Sequence, residues 1–232
     1  MSDRVPLLLI PGLLCDTALW QNQINALKDI ANCTVALTTQ QDSMAAIAAS
    51  VLEVAPPRFA LAATSMGGYV AFEIMRQAPE RVLQLAILNS SARPDPSDAQ
   101  KRRRLLMDLS KEGQFKGVTP RLLPNLIHIG QLGNKALTDT IMQMAERVGR
   151  EAFINQQTAI MGRIDSRPFL PLITCKTLVI GGLQDVTTPL ELQREIAGLI
   201  PDARLEIIDQ CGHLSPLEQP EAVNALMRRW IA

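Results

Sequence analysis

The sequence predicts an α/β fold, a doubly wound and mostly parallel sheet of about six strands that carries a helical insertion. Three observations lead there. Short, nearly continuous apolar runs alternate with stretches of helical period. The runs are bounded by Pro, Gly or polar residues, as strands buried on both faces are. One segment, 92–171, lacks a convincing strand.

The six runs are Leu7–Ile10, Thr34–Leu37, Phe59–Ala63, Val82–Leu88, Leu178–Ile180 and Leu205–Ile208. Between the first two, Trp20, Ile24, Leu27 and Ile30 recur at helical steps. Met44, Ile47, Val51 and Val54 do the same behind Ser43, a residue type suited to an N-cap. Leu192, Ile196 and Leu199 follow the fifth run. Val223, Leu226 and Trp230 follow the sixth, behind Pro220, whose fixed φ suits a first helical turn. Strands and helices in this alternation imply a sheet covered on both faces.

The strandless segment reads as helical. Leu137, Ile141, Met144 and Val148 are spaced for one helix, and Phe153, Ile160 and Ile164 for another. Arg93-Pro94-Asp95-Pro96 and Arg167-Pro168 mark its ends. Its 80 residues, 92–171, removed from 232, leave 152 for the core, residues 1–91 and 172–232. A length of 232 fits one domain with such an insertion.

Composition narrows the function classes. Apolar residues make up 47% and charged residues 20%, too few charges for a disordered chain and enough apolar surface for a core. With 23 basic and 23 acidic residues the formal net charge is +0, so no global field draws the chain to nucleic acid or an acidic membrane. The one basic run, Lys101 to Arg104, reads as the solvated face of a helix. Cys15, Cys33, Cys175 and Cys211 have neither metal-ligand nor disulfide-scaffold spacing, which favours reduced thiols in a cytoplasmic protein. The apolar stretch Val5–Cys15 has the length of a signal-peptide core, but Asp3 cancels Arg4 and two prolines and a glycine interrupt it. No apolar run approaches the roughly 18 residues of a membrane span.

The chemistry starts at Thr64-Ser65-Met66-Gly67-Gly68, where a strand runs straight into a helical pattern. So sharp a turn strains its central residue and demands small neighbours two before and two after, and Ala63 and Gly67 are those. The pattern is G-x-S-x-G with Ala63 in place of the first glycine. A serine hydroxyl needs an imidazole to take its proton and a carboxylate to orient that imidazole. The chain has only two histidines. His213 follows the last strand and precedes the last helix, within reach of the carboxyl edge of the sheet. His128 sits in the insertion among Leu126, Ile127 and Ile129, as a packing or lid residue would. For the carboxylate, Asp185 lies just past the fifth strand. Asp209, four residues before His213, reads rather as a turn residue.

With nucleophile, acid and base in the order Ser65, Asp185, His213, the sequence resembles the α/β-hydrolase superfamily over essentially the whole chain. The loop from Leu9 through Pro11, Gly12, Leu13 and Leu14 to Trp20 resembles the family's His-Gly segment, with Pro11 in place of the usual His. The resemblance implies an oxyanion hole formed by the backbone N–H groups of Leu13 and Met66, and a helical cap at 92–171. Many relatives open with a hairpin before the first central strand, but the first run here starts at Leu7, so the sheet is expected to lack it, and no metal or organic cofactor is expected. Some relatives hold the acid after the fourth strand, where this chain has Asn89 and Ser90, so Asp185 is retained. Cys15 and Cys211 flank the motifs as buried small residues rather than redox sensors, and Met107, Met142, Met144 and Met161 offer an adaptable apolar lining in the cap.

The functional expectation is a serine hydrolase of a small carboxylic ester. Thioester, enol-lactone and carbon–carbon bond hydrolysis, perhydrolysis and acyl transfer use the same constellation. A reading of another class is a ligand receptor that keeps a slow hydrolase site. The oligomeric state is not legible.

Overall fold

The structure is a computed structural model and describes residues 4–113 and 115–232, so that Asp3, weighed above against a leader, lies outside the described residues. Six strands form one sheet: β1 (Val5–Ile10), β2 (Ala31–Val35), β3 (Phe59–Thr64), β4 (Val82–Leu88), β5 (Lys176–Gly182) and β6 (Arg204–Ile208). Their order is β2-β1-β3-β4-β5-β6 and every pairing is parallel. The chain reverses direction of travel between β1 and β3. That switch point is where open α/β sheets place their sites.

Alternate side chains of each strand enter opposite faces. Leu8, Ile10, Leu61, Ala63, Leu85, Ile87 and Val179 share one apolar cluster with α2 (Met44–Val54), α3 (Met66–Gln77) and α6 (Leu190–Leu199). Leu7, Leu9, Ala60, Ala62, Ala86, Leu88 and Ile180 share the other with α1 (Gln21–Leu27) and α8 (Pro220–Ile231). The short α7 (Ser215–Glu218) joins β6's loop to α8. Both faces of β1, β3 and β4 are thus dry, which is why these strands stand out as continuous runs.

β1 and β5 run up to two residues beyond the expected runs, and β2 and the helix before it are displaced from theirs. β2 begins at Ala31, not Thr34, because it is an edge strand whose burial alternates: Ala31, Cys33 and Val35 turn inward and Asn32 and Thr34 outward. Upstream, Asp16 accepts the N–H of Ala18 and caps a 3-10 turn at Thr17–Trp20, so α1 covers only Gln21–Leu27 and Ile30 falls in the turn before β2. Ser43 caps α2 as expected, its Oγ accepting from Ala46 N at 3.2 Å.

Between β4 and β5 the described residues hold no strand but two long helices, α4 (Ser97–Glu112) and α5 (Lys135–Met161), with 3-10 turns at Leu123–Asn125, Ile129–Gln131 and Leu170–Leu172. The two helices expected over 137–164 are the two halves of α5, divided at Gly149, where φ is 79° and ψ 177°. The basic run lies on α4, but Arg103 turns inward, donating to Asp95 Oδ2 at 2.5 Å and to Gln157 Oε1 at 2.7 Å. No helix among the described residues is long and apolar enough to cross a membrane.

Candidate active site

Ser65 is the single residue between β3 and α3. Its φ of 53° and ψ of −120° are a conformation an L-residue keeps only when its surroundings hold it. Three bonds do so. Ser65 N–H donates to Leu88 O at 3.0 Å, while Ser65 O accepts from Gly68 N at 2.9 Å and from Ser90 Oγ at 2.7 Å. The small neighbours are needed for close approach. A Cβ on Gly67 would stand 2.5 Å from Ile10 O and one on Gly68 2.2 Å from Ser90 Oγ. Ala63 is fully buried between Ile10 and Ile87 on the adjoining strands.

His213, on the loop after β6, places Nε2 2.8 Å from Ser65 Oγ and Nδ1 2.9 Å from Asp185 Oδ2. An ionised carboxylate has no proton to give, so the Nδ1 proton points to Asp185 and the bare Nε2 accepts the hydroxyl of Ser65. The structure brings Ser65, His213 and Asp185 within hydrogen-bond distance of one another in that order. The two competitors lie elsewhere. Asp209 accepts from Gln210 N at 2.8 Å and Gln184 Nε2 at 2.9 Å in an exposed turn. His128 Nδ1 accepts from Gly130 N at 3.1 Å and caps a turn.

Asp185 is held from every side. Oδ1 accepts the N–H groups of Thr187 and Thr188, each at 2.8 Å. Oδ2 accepts Thr188 Oγ1 at 2.6 Å and Asn89 Nδ2 at 2.9 Å besides the His213 ring. Burial pushes its carboxyl up, but the His213 charge and these bonds outweigh that and bring it down to about 2. Asn89 in turn accepts Ser215 Oγ at 2.6 Å and donates to Gly212 O at 3.1 Å, with φ of 46°.

The loop carrying His213 is clamped as well. Glu218, buried, accepts Gly212 N at 3.0 Å, Leu214 N at 3.1 Å and His128 N at 2.6 Å. Its carboxyl is pushed up by burial and held back in part by these N–H donors. Leu126 O accepts both His213 N at 3.0 Å and Leu214 N at 3.1 Å. Gly212 passes so close to the chain that a Cβ there would lie 2.8 Å from His128 N, and one on Gly182 would lie 2.1 Å from Gly212 O. Asn89, Thr188 and Glu218 are supports that the sequence reading misses. The available signals were Asn89's place at the carboxyl end of a strand and a lone Glu five residues after His213.

The loop after β1 lies against Ser65, since a Cβ on Gly12 would stand 3.2 Å from Ser65 Cβ. Leu13 is part of that loop, and Met66 opens α3, where first-turn N–H groups have no partner within the helix. The thiols of Cys15 and Cys211 are buried beside the site. Burial, with Asp16's charge, pushes Cys15 up to about 12, and burial, Glu218 and Asp185 push Cys211 up. Neither is a thiolate at neutral pH.

Comparison with known proteins agrees with this architecture. The model of the alpha/beta hydrolase family matches residues 26–226, and the chain belongs to that family. A thermophilic esterase from Thermogutta terrifontis superposes with a TM-score of 0.88 at 28% identity, covering 98% of this chain and 89% of that one. A Mycobacterium tuberculosis protein that carries the provisional name of a non-heme bromoperoxidase, BpoC, is 29% identical over 238 residues, 99% of this chain and 87% of its own. A 2-hydroxy-6-oxononadienedioate/2-hydroxy-6-oxononatrienedioate hydrolase of a Pseudomonas species is 26% identical over 180 residues, 72% of this chain and 61% of its own.

Proposed function

We propose that the chain is a serine hydrolase of small, uncharged carboxylic esters that works through an acyl-enzyme. The observation that carries this reading is the continuous chain Ser65 Oγ, His213 Nε2, His213 Nδ1, Asp185 Oδ2, with links of 2.8 and 2.9 Å. His213 takes the proton of Ser65 as the oxygen attacks the ester carbonyl. Asp185 holds the ring in the one tautomer that can accept it and balances the imidazolium. The N–H groups of Leu13 and Met66 receive the negative oxygen, a role worth about 3 kcal/mol of barrier for each such donor. His213 then gives its proton to the departing alcohol and takes one from the water that frees the acid.

The segment 92–171 serves as a cap over this site in the proposal, with apolar residues lining the way to Ser65. A soluble cytoplasmic setting suits a neutral chain whose four thiols are free. A second reading draws on the Pseudomonas relative. The substrate in that protein's name has no ester, so its hydrolysis must break a carbon–carbon bond.

Labelling with a fluorophosphonate tests the first reading directly. Ser65 is expected to take up one equivalent and Ser65→Ala none; stoichiometric labelling elsewhere refutes the assignment. A plate of activated esters of graded acyl length, with a thioester, an enol-lactone and a 2-hydroxy-6-oxo dienoate, separates esterase from its alternatives. Turnover below about 0.01 per second on all of them, against a typical enzyme median near 10, favours a receptor.

A further inference from the structure

Residues of α5 reach the loop after β1 from outside the core. Gln156, fully buried, accepts Leu14 N with Oε1 at 3.1 Å. Its amide nitrogen donates to Thr38 O at 3.2 Å and to Thr38 Oγ1 at 3.3 Å, so both ends of the side chain are fixed. Two residues further along the loop, Arg147 forks onto Asp16, Nε to Oδ2 at 2.7 Å and Nη2 to Oδ1 at 3.2 Å. Between these ties the Leu14 side chain is buried against Ala145 and Phe153. Leu14 has a φ of 57°, a left-handed conformation that a branched side chain keeps only when neighbours hold it. The loop therefore owes its shape to a helix that lies between β4 and β5 in sequence.

Leu13, whose N–H is the proposed oxyanion donor, is joined directly to this strained residue. The peptide between them is shared, so the orientation of Leu14 N–H and the position of the Leu13 backbone change together. We propose that α5 builds this half of the oxyanion site, with Gln156 as the positioning residue that holds Leu14 and, through it, the Leu13 N–H. The inference rests on the serine-hydrolase reading and adds a control to it. Displacing α5 at its break, Gly149, loosens one donor of the site without touching Ser65, His213 or Asp185.

The test uses the full chain with three readouts: steady-state hydrolysis of p-nitrophenyl acetate, inhibition by a trifluoromethyl ketone, and amide hydrogen exchange at Leu14. The ketone adds to the Ser65 oxygen and leaves its own oxygen as an anion, so its affinity reports the oxyanion site. Gln156→Met keeps the length and apolar volume but has no acceptor for Leu14 N. It is expected to lower kcat about 10- to 100-fold with KM within about threefold, weaken the ketone by a similar factor and speed exchange at Leu14. Gln157→Met, the same change one residue on, removes the acceptor of Arg103 and is expected to leave all three readouts within about threefold.

Wild-type kcat and ketone affinity in Gln156→Met overturn the proposal, as do equal losses in Gln156→Met and Gln157→Met. If Gln156→Met does not fold, the half-exposed Arg147→Met decides: weaker ketone binding and faster Leu14 exchange support the proposal, and no change in either overturns it. A wild-type protein that neither turns over the ester nor binds the ketone refutes the hydrolase reading instead. Leu14 exchange in Gln156→Met then decides separately whether α5 holds the loop.

Discussion

Asn89 donates to the same oxygen of Asp185 that accepts the His213 ring, each bond measuring 2.9 Å. The oxygen is therefore aimed by an amide that itself cannot move, since its other end accepts Ser215 Oγ and its nitrogen also serves Gly212 O. Removing that amide should loosen the carboxylate without removing it. Asn89→Ala is expected to lower kcat about tenfold, whereas Asp185→Asn, which allows the wrong ring tautomer, should lower it about 10³- to 10⁴-fold. Asp209→Asn should stay within twofold. Steady-state kinetics on one activated ester ranks the three, and any other order displaces Asp185 from its proposed role.

Acid should reveal the same carboxylate through stability. Asp185 is held at about 2 in the folded chain against an ordinary 3.8, so its contribution is fully present above pH 4 and is lost as pH falls through about 2. The difference corresponds to about 2 kcal/mol. Urea unfolding at pH 5 and pH 2 should show wild type losing about that much more stability over the interval than Asp185→Asn. Equal losses in the two proteins would refute it.

Glu218 makes a stronger claim on folding. Three backbone N–H groups, those of His128, Gly212 and Leu214, depend on its carboxylate. Glu218→Ala leaves those of His128 and Gly212 without an acceptor, while Leu214 N keeps Leu126 O, and is expected to destabilise the fold by at least about 2 kcal/mol. Glu218→Gln, which retains one oxygen, should cost less than the alanine variant. Chemical denaturation of both measures the gap.

Two glycines separate crowding from backbone strain. Gly67→Ala would drive a Cβ to 2.5 Å from Ile10 O, where the nearest atoms are main chain and cannot yield. A loss above about 2 kcal/mol is expected there, with activity gone. Gly149→Ala meets no atom within 4 Å, so its cost is the strain of φ 79° alone, about 1–3 kcal/mol. Thermal melts of the pair would contradict this if Gly149→Ala proved the more damaging.

What the sequence disclosed follows from the signal each residue leaves. β1, β3 and β4, dry on both faces, are continuous apolar runs and are read to within two residues. β2, half exposed at the sheet's edge, alternates, and its start moves from Thr34 to Ala31. The break in α5 falls at Gly149, between Val148 and Phe153, where the apolar spacing already divides two helices. Ser65, Asp185 and His213 stand out in the sequence because each lies just past the end of a strand and because histidine is scarce. Asn89, Glu218 and Gln156 are not, since an amide or carboxylate that serves backbone groups leaves no pattern of its own. Arg103 was hidden within a run whose other members are exposed, and only its pairing with Asp95 and Gln157 sets it apart.

The close passage of Gly212 beneath Ile127 and His128 bears on how such a chain can be rebuilt. A helical segment hung between two strands looks like a module that could be exchanged for another without disturbing the sheet. Here Leu126 O accepts the N–H of His213 itself, and the Gly212 backbone leaves no gap beneath the segment. A graft that replaced residues 92–171 would leave the strand order intact yet strip the bed from under the imidazole. Any transplant must therefore keep the turn at 123–128 or redesign the His213 loop with it.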